Sequence, residues 1–447
     1  PHFGCACTRN LLIGLAAPAP TMAGSKQDSR LGFALVGLGR AGHFHLESLR
    51  RNDRTARLLW AVDLDVAKAE RIAGEHPGCR WAAALEAAAA DPEVDAIIVA
   101  SATDTHFPLI MQSLRARKAV FAEKPISHEI SEVEEAVAFA LAEDLPLVCG
   151  YQRRADGNFR ELKRQLDAGA IGQLKVVKSC SRDNPLPPME YLRNSGGIFH
   201  DMLVHDFDML DFLSDGQAPE SVTSAGHCYH PEIREMGDLD TCAVMFKYPS
   251  GLLAMVDTSR DAAYGYDQRV EAFGEWGMVN AKNELTSTVE LATSAGHLTP
   301  PAAWSFPQRY SKAYATELAE FLRLLRAGPG SAAHLAEQEA TRRHPRIIRT
   351  TVAAELSWRL GRTVRVDEVD ALAAAGPAPK DVDLGGASGG GESASVTGST
   401  LSGDVSDAEA SQADWQKAGT SEEDVLAGEA PAGMGVWQPV LCAGGTW

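Results

Sequence analysis

The run from Leu31 to Asp63 limits what this chain can fold into more than any other. A short apolar stretch, Leu-Gly-Phe-Ala-Leu-Val, leads into Gly37-Leu38-Gly39-Arg40-Ala41-Gly42. A polar, helix-like stretch follows, and a second apolar run, Leu58 to Val62, ends in Asp63. Strand, glycine turn, helix, strand and acid in that order form a dinucleotide-binding fingerprint. Each part has a mechanical reason. Gly37 permits the turn, Gly39 lets the backbone approach a pyrophosphate, and Gly42 lets helix and strand pack closely. The helix N-terminus offers unpaired N–H donors and a partial positive charge to the phosphates. Asp63 would accept hydrogen bonds from a ribose 2′-hydroxyl and repel a 2′-phosphate, so NAD is expected rather than NADP. Without its context, a glycine triplet is an ordinary turn; here the flanking strands and the acid are all present.

The rest of the composition bounds the answer. At 447 residues the chain has room for two domains and a tail, and no apolar run approaches the roughly 20 residues that span a bilayer. The net charge of −18 argues against nucleic acid as a partner. Half of that charge is local, since eleven acidic residues against two lysines follow from Lys380 onward. Among eight cysteines no C-x-x-C pair occurs, so a structural zinc site is not expected, and a reducing, cytoplasmic setting is the default.

Residues 1–30 read as an unfolded extension. Met22 is a candidate start, and a degraded transit peptide is the alternative reading. Residues 31–150 alternate short apolar strands with helices, as a doubly wound Rossmann domain does. The helix over 131–143 carries a start signal, Ser131 followed by Glu134. Residues 151–370 change character: helices are predicted over 159–167, 198–213, 314–327 and 346–360. Strand-like runs in series between Leu174 and Leu291 suggest a large open, mostly antiparallel sheet in an α+β domain. The helices are expected between that sheet and the first domain. Residues 371–447 form an acidic low-complexity tail, in which Trp415, Trp437 and Trp447 have no physical account.

Three segments could carry chemistry. Lys124, in Glu123-Lys124-Pro125, directly follows an apolar strand, where ligands of open α/β sheets bind. It is otherwise a surface lysine. Asp201 and His205, four apart in Gly196-Gly197-Ile198-Phe199-His200-Asp201-Met202-Leu203-Val204-His205-Asp206, would share one helix face. There the carboxylate could hold the imidazole as a general base requires. The bland alternatives are a helix-surface pair, or a metal site of His200, Asp201, His205 and Asp206, which the five-residue histidine spacing disfavours. Tyr264 and Tyr266 flank Gly265 beside a strand, and could line a polyol pocket or cap the strand end.

GLGRAGHFH, EKPI, GYQRRADGNFRELK, RDNP, GGIFHDMLVHDFDML and YGYDQRVEAFGEWGM together resemble the glucose–fructose oxidoreductase and inositol dehydrogenase family. They are most similar to its inositol 2-dehydrogenase branch, over about residues 31–366. The resemblance implies a Rossmann domain followed by an open-sheet α+β domain, and a homodimer or homotetramer formed through that sheet. It implies NAD as cofactor and Lys124, Asp201 and His205 as the catalytic set. Arg153, Asn184, Tyr264 and Tyr266 would lie at the polyol with that set. Ser101, Thr103, His106 and Glu123 would line the nicotinamide side. Ala155 departs from the aromatic residue usual after the two arginines, which bears on pocket shape. Arg342-Arg343-His344-Pro345 interrupts what should be a smooth helix.

The implied activity is oxidation of myo-inositol to 2-keto-myo-inositol, with no metal. Another polyol or sugar is the alternative substrate, and a catalytically inactive dinucleotide sensor the alternative class. Replacing His205 by Ala is expected to lower turnover strongly, by about 10²–10⁴-fold, while NADH binding stays nearly intact. Wild-type-like turnover in a steady-state assay would remove His205 from the mechanism.

Overall fold

The computed structural model describes residues 29–375. The expectations for residues 1–28 and for the tail from 376 onward lie outside the described residues. The first unit runs β1 (Leu31–Val36), α1 (Arg40–Arg51), β2 (Ala56–Val62), α2 (Val66–Glu75), β3 (Arg80–Ala82) and α3 (Glu86–Ala90). It continues with β4 (Ala96–Val99), α4 (His106–Arg115), β5 (Ala119–Glu123), α5 (Ile130–Ala142) and β6 (Leu147–Gly150). Its six strands are parallel in the order β3-β2-β1-β4-β5-β6, the doubly wound order of dinucleotide-binding sheets.

Side chains alternate along β1. Ala34 and Val36 enter one core with residues of α4 and α5, while Phe33 and Leu35 enter the other with residues of α2. Burial on both faces explains the unbroken apolar strands of the sequence.

The second unit comprises α6 (Gly157–Asp167), β7 (Leu174–Arg182), α7 (Met189–Asn194), a π-helical turn at Phe199–Leu203 and α8 (Val204–Leu213). Then come β8 (Ser221–His227), α9 (Pro231–Glu235), β9 (Thr241–Lys247), β10 (Leu253–Ser259), β11 (Asp267–Gly274), β12 (Met278–Ala281), β13 (Leu291–Thr293) and β14 (Gly296–Leu298). The described chain ends with α10 (Phe306–Ala327), α11 (Ala332–Thr341), α12 (His344–Leu360), β15 (Val364–Arg365) and α13 (Val369–Ala374). Seven strands form one sheet in the order β12-β11-β7-β10-β9-β8-β15, antiparallel throughout except for the parallel pair β7 and β10. A short hairpin, β13 with β14, stands apart.

Two late helices tie the units together. Leu318, Phe321, Leu322 and Leu324 of α10 pack into the core that contains Phe33 and Phe121, with the Phe321 and Phe121 rings edge to face at 5.6 Å. Ile347 and Ile348 of α12 enter the first unit's other core, while Ala353, Ala354 and Trp358 enter the second unit's core. The expected position of helices between sheet and first domain holds for α12.

Several sequence expectations change in detail. The start signal at Ser131 and Glu134 is not the cap. The helix begins at Ile130, and Ser127 instead fixes the entry, accepting from Glu129 N–H at 3.0 Å and donating to Glu132 at 2.5 Å. The interruption at Arg342-Arg343-His344-Pro345 is resolved by a break between two helices. α11 ends at Thr341, and α12 starts at His344 with Pro345 in its first turn, where a missing N–H costs nothing. The helix predicted over 198–213 opens with the π-helical turn. Ordered helix also continues to Ala374, past the expected limit at Asp370.

Candidate active site

The glycine turn has the features a dinucleotide needs. Gly37 has φ +88°, a left-handed conformation that a Cβ disfavours. A Cβ on Gly42 would lie 2.2 Å from the Gly37 carbonyl oxygen, so only glycine allows α1 to approach the turn. Gly39 differs: nothing lies within 4 Å of a Cβ built there. It caps α1 with no side-chain hydrogen bond, and no acidic residue stands in the first turn. The open space in front of unpaired N–H groups fits a pyrophosphate. Asp63 Oδ2 accepts from Leu38 N–H at 2.7 Å and Oδ1 from Asp65 N–H at 2.8 Å, so the acid also braces the turn.

Lys124 follows β5 directly. Its ammonium donates to the Asp201 carbonyl oxygen at 2.6 Å and faces Asp201 Oδ1 at 3.2 Å, joining residues 77 positions apart in sequence. The other donors to that carboxylate are the Tyr191 hydroxyl, at 2.6 Å from Oδ1, and Arg260, whose Nη1 is 3.1 Å from Oδ2. Burial works against the charge on Asp201. The Lys124 and Arg260 charges and the Tyr191 and Arg260 hydrogen bonds outweigh it and hold the carboxyl down at about 2. Arg260 is fully buried and also donates to Asp238 at 3.4 Å.

The expected hydrogen bond between Asp201 and His205 is not formed. The π-helical turn at 199–203 has more residues per turn than an α-helix, so the four-residue spacing no longer stacks the two side chains. Asp201 turns toward Lys124. His205 lies beside the Tyr151 ring, centroids 6.2 Å apart, with a buried Nδ1 that has no hydrogen-bond partner among the described residues. Burial, then the Lys124 and Arg153 charges, push its proton affinity well below that of an ordinary imidazole. His205 is therefore neutral, a tautomer free of any carboxylate. The neighbouring candidates also separate, His200 pairing with Glu355 at 3.0 Å and Asp206 with Arg153 at 3.0 Å.

The other predicted residues divide. Arg153 is buried, donating to Asp206 and, at 2.9 Å, to Ser181. Tyr266 is buried against the Tyr310 ring, whereas Tyr264 is 54% exposed, with its hydroxyl donating to Asp267 at 2.6 Å and accepting from Arg182 at 3.0 Å. The two tyrosines thus do not act as one flanking pair. Asn184 donates to the Trp304 carbonyl at 2.9 Å. Glu123 is turned inward, where His45 of α1 meets it at 2.8 Å. Burial opposes its charge, but the His45 hydrogen bond and the Lys124 charge keep its carboxyl below the usual range. His106 is likewise buried. Its Nδ1 meets the Pro125 carbonyl at 2.7 Å and its Nε2 the Ser101 carbonyl at 3.1 Å, joining the loops after β4 and β5. Ser101 and Thr103 remain half-exposed at the end of β4.

Sequence reasoning passed over Tyr191, Arg260, His45 and Asp183. Burial pushes the Asp183 carboxyl up to about 6, with Arg260, Arg153 and Lys124 pulling against it and Asp201 adding to it. Arg260 and Asp183 each stand just past a strand end; that position was the only signal for Arg260, while Asp183 also lies in RDNP beside Asn184.

A Rossmann sheet, an uncapped glycine turn and a cluster of charged side chains at the end of β5 define a nucleotide-dependent oxidoreductase. Residues 31–151 match the oxidoreductase family with an NAD-binding Rossmann fold, and residues 159–280 match the GFO/IDH/MocA C-terminal domain. An inositol 2-dehydrogenase of Rhizobium meliloti is 40% identical over 66% of this chain and 89% of its own length. A myo-inositol 2-dehydrogenase of Thermotoga maritima is 36% identical over 66% of this chain and 88% of its own. The crystal structure of a scyllo-inositol dehydrogenase from Lactobacillus casei, with bound NAD(H) and scyllo-inositol, aligns with TM-score 0.68 and 25% identity, over 76% of this chain and 99% of that one. The chain belongs to the GFO/IDH/MocA oxidoreductase family and is an NAD-dependent dehydrogenase.

Gly39→Ala tests the turn. With nothing near the new methyl group, thermal stability should stay within about 0.5 kcal/mol of the original. NADH affinity, followed by fluorescence, should fall about tenfold or more as the methyl group fills the phosphate space. Unchanged affinity would place the coenzyme elsewhere.

Proposed function

We propose that this dehydrogenase oxidises a ring hydroxyl of a cyclitol, with myo-inositol oxidised at C2 to 2-keto-myo-inositol. The observation that carries the reading is the meeting of Lys124 with Asp201 at the end of β5, in the same sheet as the glycine turn, with His205 on the next helical turn. The inositol dehydrogenases among the relatives support the substrate class.

Bound NAD⁺ supplies the hydride acceptor. As hydride leaves the carbinol carbon, the hydroxyl oxygen gathers negative charge and must give up its proton. The Lys124 ammonium, held by Asp201, offers a hydrogen bond to that oxygen in a site where charge is poorly screened. His205, neutral and with no carboxylate partner, accepts the hydroxyl proton at a ring nitrogen. The imidazolium it becomes faces the Lys124 and Arg153 charges, so it passes the proton on to solvent water. Asp201 thus serves Lys124 rather than His205. Arg153 with Tyr266, and Asn184, supply the fixed polar groups that a polyol needs for orientation.

NAD⁺ reduction measured with myo-inositol, scyllo-inositol, an aldose and an open-chain polyol tests this reading. The expected order places myo-inositol first in kcat/KM, and Lys124→Met should lose about 10³-fold in turnover. Turnover of the aldose alone would overturn the cyclitol reading. No turnover of any of them, with NADH still bound, would favour a sensor.

We also infer a homodimer or homotetramer in the cytoplasm. The described cysteines are free thiols, which suits a reducing compartment, and no described helix is long and apolar enough to cross a membrane. The outer face of the open sheet presents Met245, Leu253, Met255, Phe273 and Met278, all at least 38% exposed, while their strand neighbours Val244, Ala254 and Ala272 are buried. A row of large apolar groups on one sheet face marks a contact surface. Sedimentation should give at least twice the chain mass, and Met255→Asp should reduce it; an original enzyme that sediments as a monomer would refute the assembly.

A further inference from the structure

Tyr191 lies outside every motif that the proposed reaction uses, yet it touches both halves of the site. It sits on the short helix α7. Its hydroxyl donates to Asp201 Oδ1 at 2.6 Å, the oxygen that also faces Lys124 at 3.2 Å. Its ring lies under the Arg40 guanidinium, 5.4 Å from the centroid, and the same guanidinium stands 4.9 Å from the Phe306 ring centroid. Arg40 is the first residue of α1, directly after Gly39. One side chain therefore runs from the phosphate-binding turn to the carboxylate that holds Lys124.

Packing alone does not fix this side chain, since 40% of Tyr191 is exposed. Two directional contacts do, one at each end. A hydroxyl donating to an ionised carboxylate is among the stronger neutral-donor hydrogen bonds, and it sets which carboxylate oxygen faces the ammonium. With Oδ2 committed to Arg260, Tyr191 and Lys124 share Oδ1. At the other end the cation is held by two ring faces, and among the described residues no ion pair is formed by Arg40 and no acidic residue stands in the first turn of α1. That guanidinium keeps its charge for an anion at the turn.

We propose that Tyr191 is a positioning residue that couples coenzyme engagement at the Gly39–Arg40 turn to the orientation of Asp201 and, through it, of Lys124. The proposal rests on the reading of Lys124 and Asp201 as part of the reacting set. Two substitutions separate its two ends. Tyr191→Phe keeps the ring under Arg40 and removes the hydroxyl; Tyr191→Leu removes both.

In the full-length enzyme, Tyr191→Phe should lower kcat about tenfold or more, with polyol KM and NADH dissociation constant within about twofold of the original. Tyr191→Leu should show the same loss in kcat and in addition weaken NADH binding about threefold or more, measured by fluorescence without substrate. Thermal melts confirm that both variants are folded. Original kcat in Tyr191→Phe overturns the proposal, and so does an NADH affinity in Tyr191→Leu equal to that in Tyr191→Phe. An original enzyme that oxidises no polyol defeats the proposed reaction instead, and the NADH arm still decides the Arg40 end, so the two failures are distinguishable.

Discussion

The contact between the Lys124 ammonium and Asp201 is the interaction on which the rest of this structure depends. It joins the end of β5 in the parallel sheet to the π-helical turn of the second unit, and it brings together an otherwise costly pair of largely buried charges. Removing charges from water is repaid only when the geometry is good and the remaining lone pairs are filled. Here they are filled by Tyr191 and by the fully buried Arg260, which a second carboxylate, Asp238, shares. The network extends through Glu123 to His45 on α1, so the glycine turn, the strand end and the second unit are parts of one electrostatic arrangement.

That arrangement redistributes the roles that spacing suggested. A carboxylate and an imidazole four residues apart read as a pair on a regular helix. The π-helical turn breaks the regularity and gives the carboxylate to Lys124 instead. His205 is left neutral beside an aromatic ring. A neutral imidazole and a charged ammonium do not compete for the same counter-charge, so the Asp201 carboxylate is left to Lys124 and Arg260.

What the sequence made legible was whatever depends on local order. The glycine turn, the acid after β2, the unbroken apolar strands and the alternating strands of the open sheet all follow from chain neighbours. Lys124, Asp201 and His205 stood out as candidates because they lie in recognisable segments. The rest depends on contacts far apart in sequence. Nothing local marks Tyr191 or Arg260 as partners of Asp201, since one stands on a short helix and the other just past a strand that reads as ordinary. The π-helical turn has no signature in hydrophobic spacing. Ser131 and Glu134 met the pattern of a helix start, yet Ser127 had already done that work four residues earlier.

The return of α10 to the first sheet has a consequence for how the molecule is made. Phe33 and Phe121 lie in the first 150 residues, but Leu318 and Phe321, which share their core, are synthesised nearly two hundred positions after Phe121. The coenzyme-binding half emerges from the ribosome with an apolar flank still bare, and closing so long a loop is slow compared with forming its helices. Burial of that flank therefore waits for α10, and the amino-terminal half without it would leave apolar surface in water.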